Sequence, residues 1–123
     1  MILVDTSVWI DHLRSGDPQL AACLQAGQVI AHPWITGELA LGHLSNRAAV
    51  IDSLQSLAQA VVATDAEVMR LIDTHALFGA GIGFIDAHLL ASCRLTQGLR
   101  LWTRDRRLEG LASRLGVGVN VTH

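Results

Sequence analysis

The chain alternates short apolar runs with longer amphipathic stretches. Ile2 to Val4 is an unbroken apolar run that stops at Asp5, the pattern of a short buried strand. Thr6 to Arg14 follows, with Val8, Trp9, Ile10 and Leu13 at helical spacing. Asp17-Pro18 is a helix start, with Asp as N-cap and Pro in the first turn; that helix stops at Gly27. Val29 to Ala31 predicts a second strand. Pro33 opens a helix through about Ser45, and Asn46 or Arg47 starts another, with Val50, Ile51, Leu54 and Leu57 on its inner face. Ala60 to Ala63 predicts a third strand. Thr64-Asp65-Ala66-Glu67 forms a capping box that opens a helix to about Phe78. After the flexible Gly79 to Gly83 segment, Phe84 to Gln97 predicts a helix stopped by Gly98. Leu99 to Trp102 predicts a strand, Asp105 to Leu115 a short helix and Val117 to Val121 a last strand. No repeat, low-complexity tract or linker interrupts the pattern. The alternation predicts one α/β domain over residues 1–123, with a mainly parallel sheet of about five strands covered on both faces.

Composition narrows the chemistry. The chain has 123 residues, 50% of them hydrophobic and 16% charged, which excludes a disordered polar chain. A domain of this size needs no disulfide or zinc staple to fold. Cys23 and Cys93 form no C-x-x-C pair and lie in apolar helical patterns, so buried free thiols are expected, in keeping with a reducing cytoplasm. The longest uncharged stretch, Pro18 to Gly37, carries two prolines and several polar residues and makes a poor membrane span. The first residues, MILVDTSVW, lack the basic segment of a signal peptide. All nine basic residues are Arg, and Tyr is absent. A Walker-A loop, a Schiff-base lysine, the lysine of a phospho-receiver site and a tyrosine nucleophile are therefore excluded.

Four acids occupy positions that invite chemistry. Ligands of open parallel sheets bind at the carboxyl ends of strands. Asp5 directly follows the first strand, and Asp105 closes LWTRD after a later one. Glu38 and Asp86 each share a helix stripe with apolar residues: Trp34, Ile35 and Leu41 for Glu38, Leu89, Leu90 and Cys93 for Asp86. Simpler roles exist for three of them. Asp5 and Asp105 could be helix N-caps, and Asp86 a first-turn acid facing the helix dipole. Glu38 has no such role. Should the four converge, their repulsion calls for a divalent cation, and hard oxygen donors suit Mg²⁺ or Mn²⁺. The six His are scattered; His88, two residues from Asp86, is expected to be a satisfied or surface residue. Trp9, Trp34 and Trp102 fall within apolar patterns and are expected in the core.

The fragments VDTSVWIDHLR, ITGELALG, IGFIDAHLLASCRL and LRLWTRDRRLEGLA, in this order, resemble the PIN-domain ribonucleases, and within them the VapC toxins of toxin–antitoxin pairs. The resemblance spans essentially the whole chain. It implies a Rossmann-like, three-layer α/β/α fold and a Mg²⁺-dependent endoribonuclease, with Mn²⁺ as a substitute. The family's active-site acids match Asp5, Glu38, Asp86 and Asp105. Asp5, Asp86 and Asp105 would hold the metal, and Glu38 would help bind it or deprotonate the attacking water. Thr6 and Thr103 match small hydroxyl residues that orient the carboxylates. The resemblance also implies a homodimer, an RNA substrate and a VapB-type antitoxin. Two other readings stand beside it: a PIN fold that binds nucleic acid or protein without chemistry, and a metal-dependent phosphatase using Asp5. The phosphatase typically needs a second Asp where Ser7 stands, and a lysine. The net charge of −2 is unevenly spread: residues 1–83 hold eight acids and three Arg, residues 84–123 three acids and six Arg. Arg104, Arg106 and Arg107 flank Asp105 and are candidate RNA phosphate contacts, or a solvated helix face.

Overall fold

A computed structural model describes residues 1–119. Four short strands, β1 (Ile2–Val4), β2 (Val29–Ala31), β3 (Ala58–Gln59) and β4 (Arg100–Trp102), form a sheet in the order β3-β2-β1-β4. Every pair is parallel, with Leu3 opposite Ile30 on one side and Leu101 on the other. Helices α1 (Thr6–Ser15) and α2 (Pro18–Gln25) connect β1 to β2, and α3 (Pro33–Ala40) and α4 (Arg47–Ser56) connect β2 to β3. Helices α5 (Asp65–Thr74) and α6 (Phe84–Leu95) carry the chain back across β1 to β4, and α7 (Arg106–Arg114) follows. Right-handed crossovers running in opposite directions place these two helix groups on opposite faces, giving the three-layer α/β/α architecture. Strand order reverses between β1 and β4. A crevice therefore opens beyond the carboxyl ends of those two strands.

The core explains the short strands. Leu3 and Val4 are fully buried, as expected of the central strand of a sheet covered on both faces. Helix α6 is buried without a break from Ala87 to Cys93, so it packs as a central rod rather than a surface helix. Val68 of α5 and Ala87 and Ala91 of α6 form a second small cluster, where alanines let the helices approach. Asp17 caps α2 by accepting from the N–H groups of Gln19 and Leu20, and Thr64 and Glu67 close their capping box on α5.

Several boundaries differ from the sequence reading. The third strand is Ala58–Gln59, not Ala60 to Ala63. Pairing ends when the Ala60 N–H reaches Ala31 O at 2.7 Å, and Val61 and Val62 turn into solvent. The last predicted strand reduces to one parallel bridge, Leu101 to Gly118; Asn120 and Val121 lie outside the described residues. Helix α3 ends at Ala40 instead of Ser45, and α5 at Thr74 instead of Phe78, where Ala76 takes φ 52°. Trp9 is buried and Trp102 half-buried, but Trp34 is not a core residue. Both cysteines are free; Cys93 is buried, its thiol pushed up to about 12 mainly by burial, whereas Cys23 is only half-buried. Among the described residues, no helix is long and apolar enough to cross a membrane.

His32 caps α3 from inside the core. It is fully buried. Its Nδ1 accepts the Trp34 N–H at 3.1 Å, so the neutral ring carries its proton on Nε2, which reaches Ser92 Oγ at 3.1 Å. Burial, and to a lesser degree the nearby His88, lowers its pKa to about 4.

Candidate active site

The crevice beyond β1 and β4 gathers the four acids. Asp5 ends β1 and stands at the N-cap of α1, yet its side chain makes no capping bond. Instead the buried carboxylate turns across the sheet edge toward β4. Its Oδ2 accepts from Thr103 Oγ1 at 2.7 Å and from Ser7 Oγ at 3.1 Å. Each of these hydroxyls in turn accepts a backbone N–H of the turn after β4: Asp105 N–H to Thr103 Oγ1, and Arg104 N–H to Ser7 Oγ, both at 3.1 Å. Two backbone donors thus orient two hydroxyls on one oxygen of Asp5. Sequence reasoning picked out Thr103 but missed Ser7. The signal was present in the D-T-S run, since a serine two residues after a strand-end Asp can reach back to it.

The other three acids are anchored in the same manner. Asp105 caps α7, with Oδ1 accepting from the N–H groups of Arg107 at 2.9 Å and Leu108 at 3.1 Å. Asp86 sits in the first turn of α6, and its Oδ2 accepts the Gly83 N–H at 3.2 Å. Glu38 Oε1 accepts from Thr6 Oγ1 at 3.2 Å. The structural roles considered for Asp105 and Asp86 are therefore real, but each uses only one carboxylate oxygen. Among the described residues, Asp5 Oδ1, Glu38 Oε2, Asp86 Oδ1 and Asp105 Oδ2 accept no protein hydrogen bond. Glu38 departs from the sequence reading in one respect: it is exposed, not packed on a core-facing stripe. The buried face is carried by Ile35, Thr36 and Leu39; Trp34 and Leu41, inferred to share a stripe with Glu38, are exposed.

The four charges feel each other. Burial raises the Asp86 carboxyl above its ordinary range; the Gly83 N–H opposes the rise, and the charges of Asp5, Asp105 and Glu38 add to it. Lysine is absent from the chain. Arg104, the first arginine after β4, is committed elsewhere. Its guanidinium pairs with Asp11 and Asp17 and lies over the Trp102 ring, 5.9 Å from the centroid. It ties the turn after β4 to α1 and to the start of α2. Arg106 and Arg107 are exposed at the start of α7. Arg107 folds over Gly81, where a Cβ would meet its Nη1 at 2.6 Å, and Gly81 holds φ +82°. The glycine-rich segment before Asp86 is thereby pressed against the helix that Asp105 caps.

A divalent cation fits this donor set. Every donor is a hard carboxylate oxygen, each with a second oxygen uncommitted, and the shared field on Asp86 is one that a cation relieves. Among the described residues, no three Asp, Glu, His or Cys side chains stand close enough to enclose an ion by themselves.

The fold agrees with the comparison to known families. The family model described as PIN domain matches residues 2–113, and the chain belongs to the PIN-domain family. Two curated relatives from Mycobacterium tuberculosis, of strains CDC 1551 / Oshkosh and ATCC 25618 / H37Rv, are each named Ribonuclease VapC32. This chain is 47% identical to each over 119 residues, covering 97% of its own length and 96% of theirs. It is thus a VapC-type member of the family.

Proposed function

We propose that the protein is a metal-dependent endoribonuclease, the toxic member of a toxin–antitoxin pair, restrained by a cognate VapB-type antitoxin. The observation that carries this reading is the four carboxylates, each anchored through one oxygen with the other left free, at the reversal point of the sheet. The 47% likeness to proteins named as ribonucleases supports it independently. The reading includes a homodimer working in the cytoplasm.

Asp5, Asp86 and Asp105 hold the cation in this scheme. When bound, Mg²⁺ or Mn²⁺ supplies charge that offsets the carboxylates and the phosphate and makes a coordinated water more acidic. Glu38, which is exposed, takes the proton of the attacking water at Oε2 while Thr6 holds Oε1. Asp5, Asp86 and Asp105 repel a phosphodiester by themselves and would hold it against that water only with the cation between them; attack of the water at phosphorus, with departure of the 3′ oxygen, leaves 5′-phosphate and 3′-hydroxyl ends. Thr103 and Ser7 keep Asp5 in one rotamer. Arg106 and Arg107 are placed to contact flanking phosphates, whereas Arg104 is held by two acids and serves the turn instead. An Asp5 phosphoenzyme is the weaker alternative, since Ser7 donates to Asp5 where a phosphatase has its second acid.

Chelation tests the scheme directly. Purified protein should cleave an unpaired RNA in Mg²⁺, stop in EDTA and recover when Mg²⁺ or Mn²⁺ is added back. Undiminished cleavage in EDTA would overturn it. A second expectation concerns Thr103. Thr103→Val removes the donor to Asp5 and the acceptor of the Asp105 N–H. Cleavage should fall roughly 10- to 100-fold, the usual effect of losing a partner that orients a metal-binding carboxylate. Single-turnover rates at several Mg²⁺ concentrations are the measurement; rates unchanged at limiting Mg²⁺ would show that Asp5 needs no such support.

A further inference from the structure

Two half-exposed aromatic rings rest on one buried histidine. Trp34 lies in the first turn of α3 and Phe84 is the first residue of α6. They are 44% and 47% exposed. Both rest on His88, which is 3% exposed, with ring centroids 5.6 Å from Trp34 and 4.9 Å from Phe84. The imidazole is pinned from α5, where Asp65 Oδ1 accepts from its Nε2 at 3.2 Å. The other ring nitrogen, Nδ1, is buried with no hydrogen-bond partner among the described residues. Sequence reasoning expected Trp34 in the core and His88 satisfied or on the surface; Trp34 is half-exposed, and His88 is buried with one of its two ring nitrogens bonded.

The rings lie on the two helices that carry Glu38 and Asp86. Trp34 precedes Glu38 by one helical turn on the same face, a Cβ separation of about 6 Å. Phe84 shares the first turn of α6 with Asp86 but turns toward His88, on another side of that helix. The electrostatics of the chain add a second consideration. It is acidic overall, lacks lysine and commits Arg104 to two carboxylates. Phosphate contacts alone are therefore a thin source of RNA affinity, and base contacts must carry a larger share.

We propose that Trp34 and Phe84 form a stacking subsite for an unpaired RNA base next to the scissile phosphate, with His88 as the positioning residue beneath them. The proposal rests on the ribonuclease reading. Aromatic faces accept any base by stacking, so the subsite sets a demand for single-stranded RNA at that position. The competing occupant of the same rings is a second copy of the chain.

The test uses Asp5→Asn protein, which keeps RNA intact, and measures binding of a short unpaired RNA by fluorescence anisotropy. Adding Trp34→Ala or Phe84→Ala should weaken binding about ten-fold, and Trp34→Phe should retain most of it. An oligonucleotide of the same length built of abasic residues should bind the parent and the Trp34→Ala variant equally. Sedimentation of the same proteins should show one oligomeric state throughout. Unchanged RNA affinity in both alanine variants overturns the subsite, as does an equal penalty with abasic RNA. A dimer that dissociates on Trp34→Ala assigns the rings to a contact between copies and also overturns it. Absence of RNA binding by the Asp5→Asn parent, together with absence of cleavage by the unsubstituted protein in Mg²⁺, would instead remove the ribonuclease reading itself.

Discussion

Asp5→Asn should abolish RNA cleavage, lowering the rate on the order of a thousand-fold or more, while the chain stays folded. Asparagine has nearly the shape of aspartate, and its amide oxygen can still accept from Thr103 and Ser7. What disappears is the charge. In the proposed scheme an amide NH₂ would then stand where a free carboxylate oxygen would face the cation, and a hard divalent ion would lose one of its ligands. Stability should move the other way. One of the charges that raise the Asp86 carboxyl is gone, so the folded state is relieved of repulsion. The measurements are single-turnover cleavage in Mg²⁺ and the thermal midpoint of the same sample. A folded Asp5→Asn protein that cleaves at near the parent rate would end the mechanism; a midpoint lower by many degrees would mean Asp5 holds the fold rather than the reaction.

The second large effect is a loss of stability in weak acid, traced to His32. The unfolded ring titrates near its model value of 6.5 and the folded ring at about 4. Between these values the unfolded chain binds a proton that the folded chain refuses. The stabilising effect of the neutral ring is complete above pH 6.5 and is lost as pH falls toward 4. The shift corresponds to about 3 kcal/mol across that window. Structure gives the reason: a proton on Nδ1 would oppose the Trp34 N–H, and the ring has no water to turn to. Asp17 and Glu67, whose carboxyls are lowered by their caps, lose their contributions only below their ordinary values of 3.8 and 4.5, so they act at more acid pH. Urea midpoints at pH 7, 6, 5 and 4.5 give the curve. His32→Asn keeps an N-cap acceptor for α3 without a titrating ring and should flatten it. A parent whose midpoint is constant from pH 7 to 4.5 would refute the assignment.

Much of this arrangement could be read before any coordinates, for reasons that differ by residue. Asp5 and Asp105 were legible because a strand end in a parallel sheet is a fixed place, and LWTRD and ILVD both mark one. The capping boxes and the α2 start were legible because their chemistry is local. Glu38 was found through an incorrect premise: the apolar neighbours suggested burial, but a helix of eight residues has too little length for periodicity to fix its face. The same limit hid β3, since two residues carry no alternation. Ser7, Trp34 and the Arg104 pairings depend on contacts across the sheet edge or between helices, which local pattern does not encode. The unpartnered His88 nitrogen is of this kind too.

The middle position of β1 has a consequence in time. Its neighbour on one side is β4, and Asp5 is held by Thr103, 98 residues later in the chain. At ribosomal speeds of 5–20 residues per second, the interval between making Asp5 and making its partner is roughly 5 to 20 s. During that interval the first strand has β2 to pair with, and β2 has β3, but the crevice has no far wall. The nascent chain is therefore without an assembled carboxylate cluster until the segment containing Thr103 and Asp105 has been synthesised. For a protein whose proposed target is RNA, this ordering keeps the message and the translating ribosome from meeting a competent site while the chain is still being made.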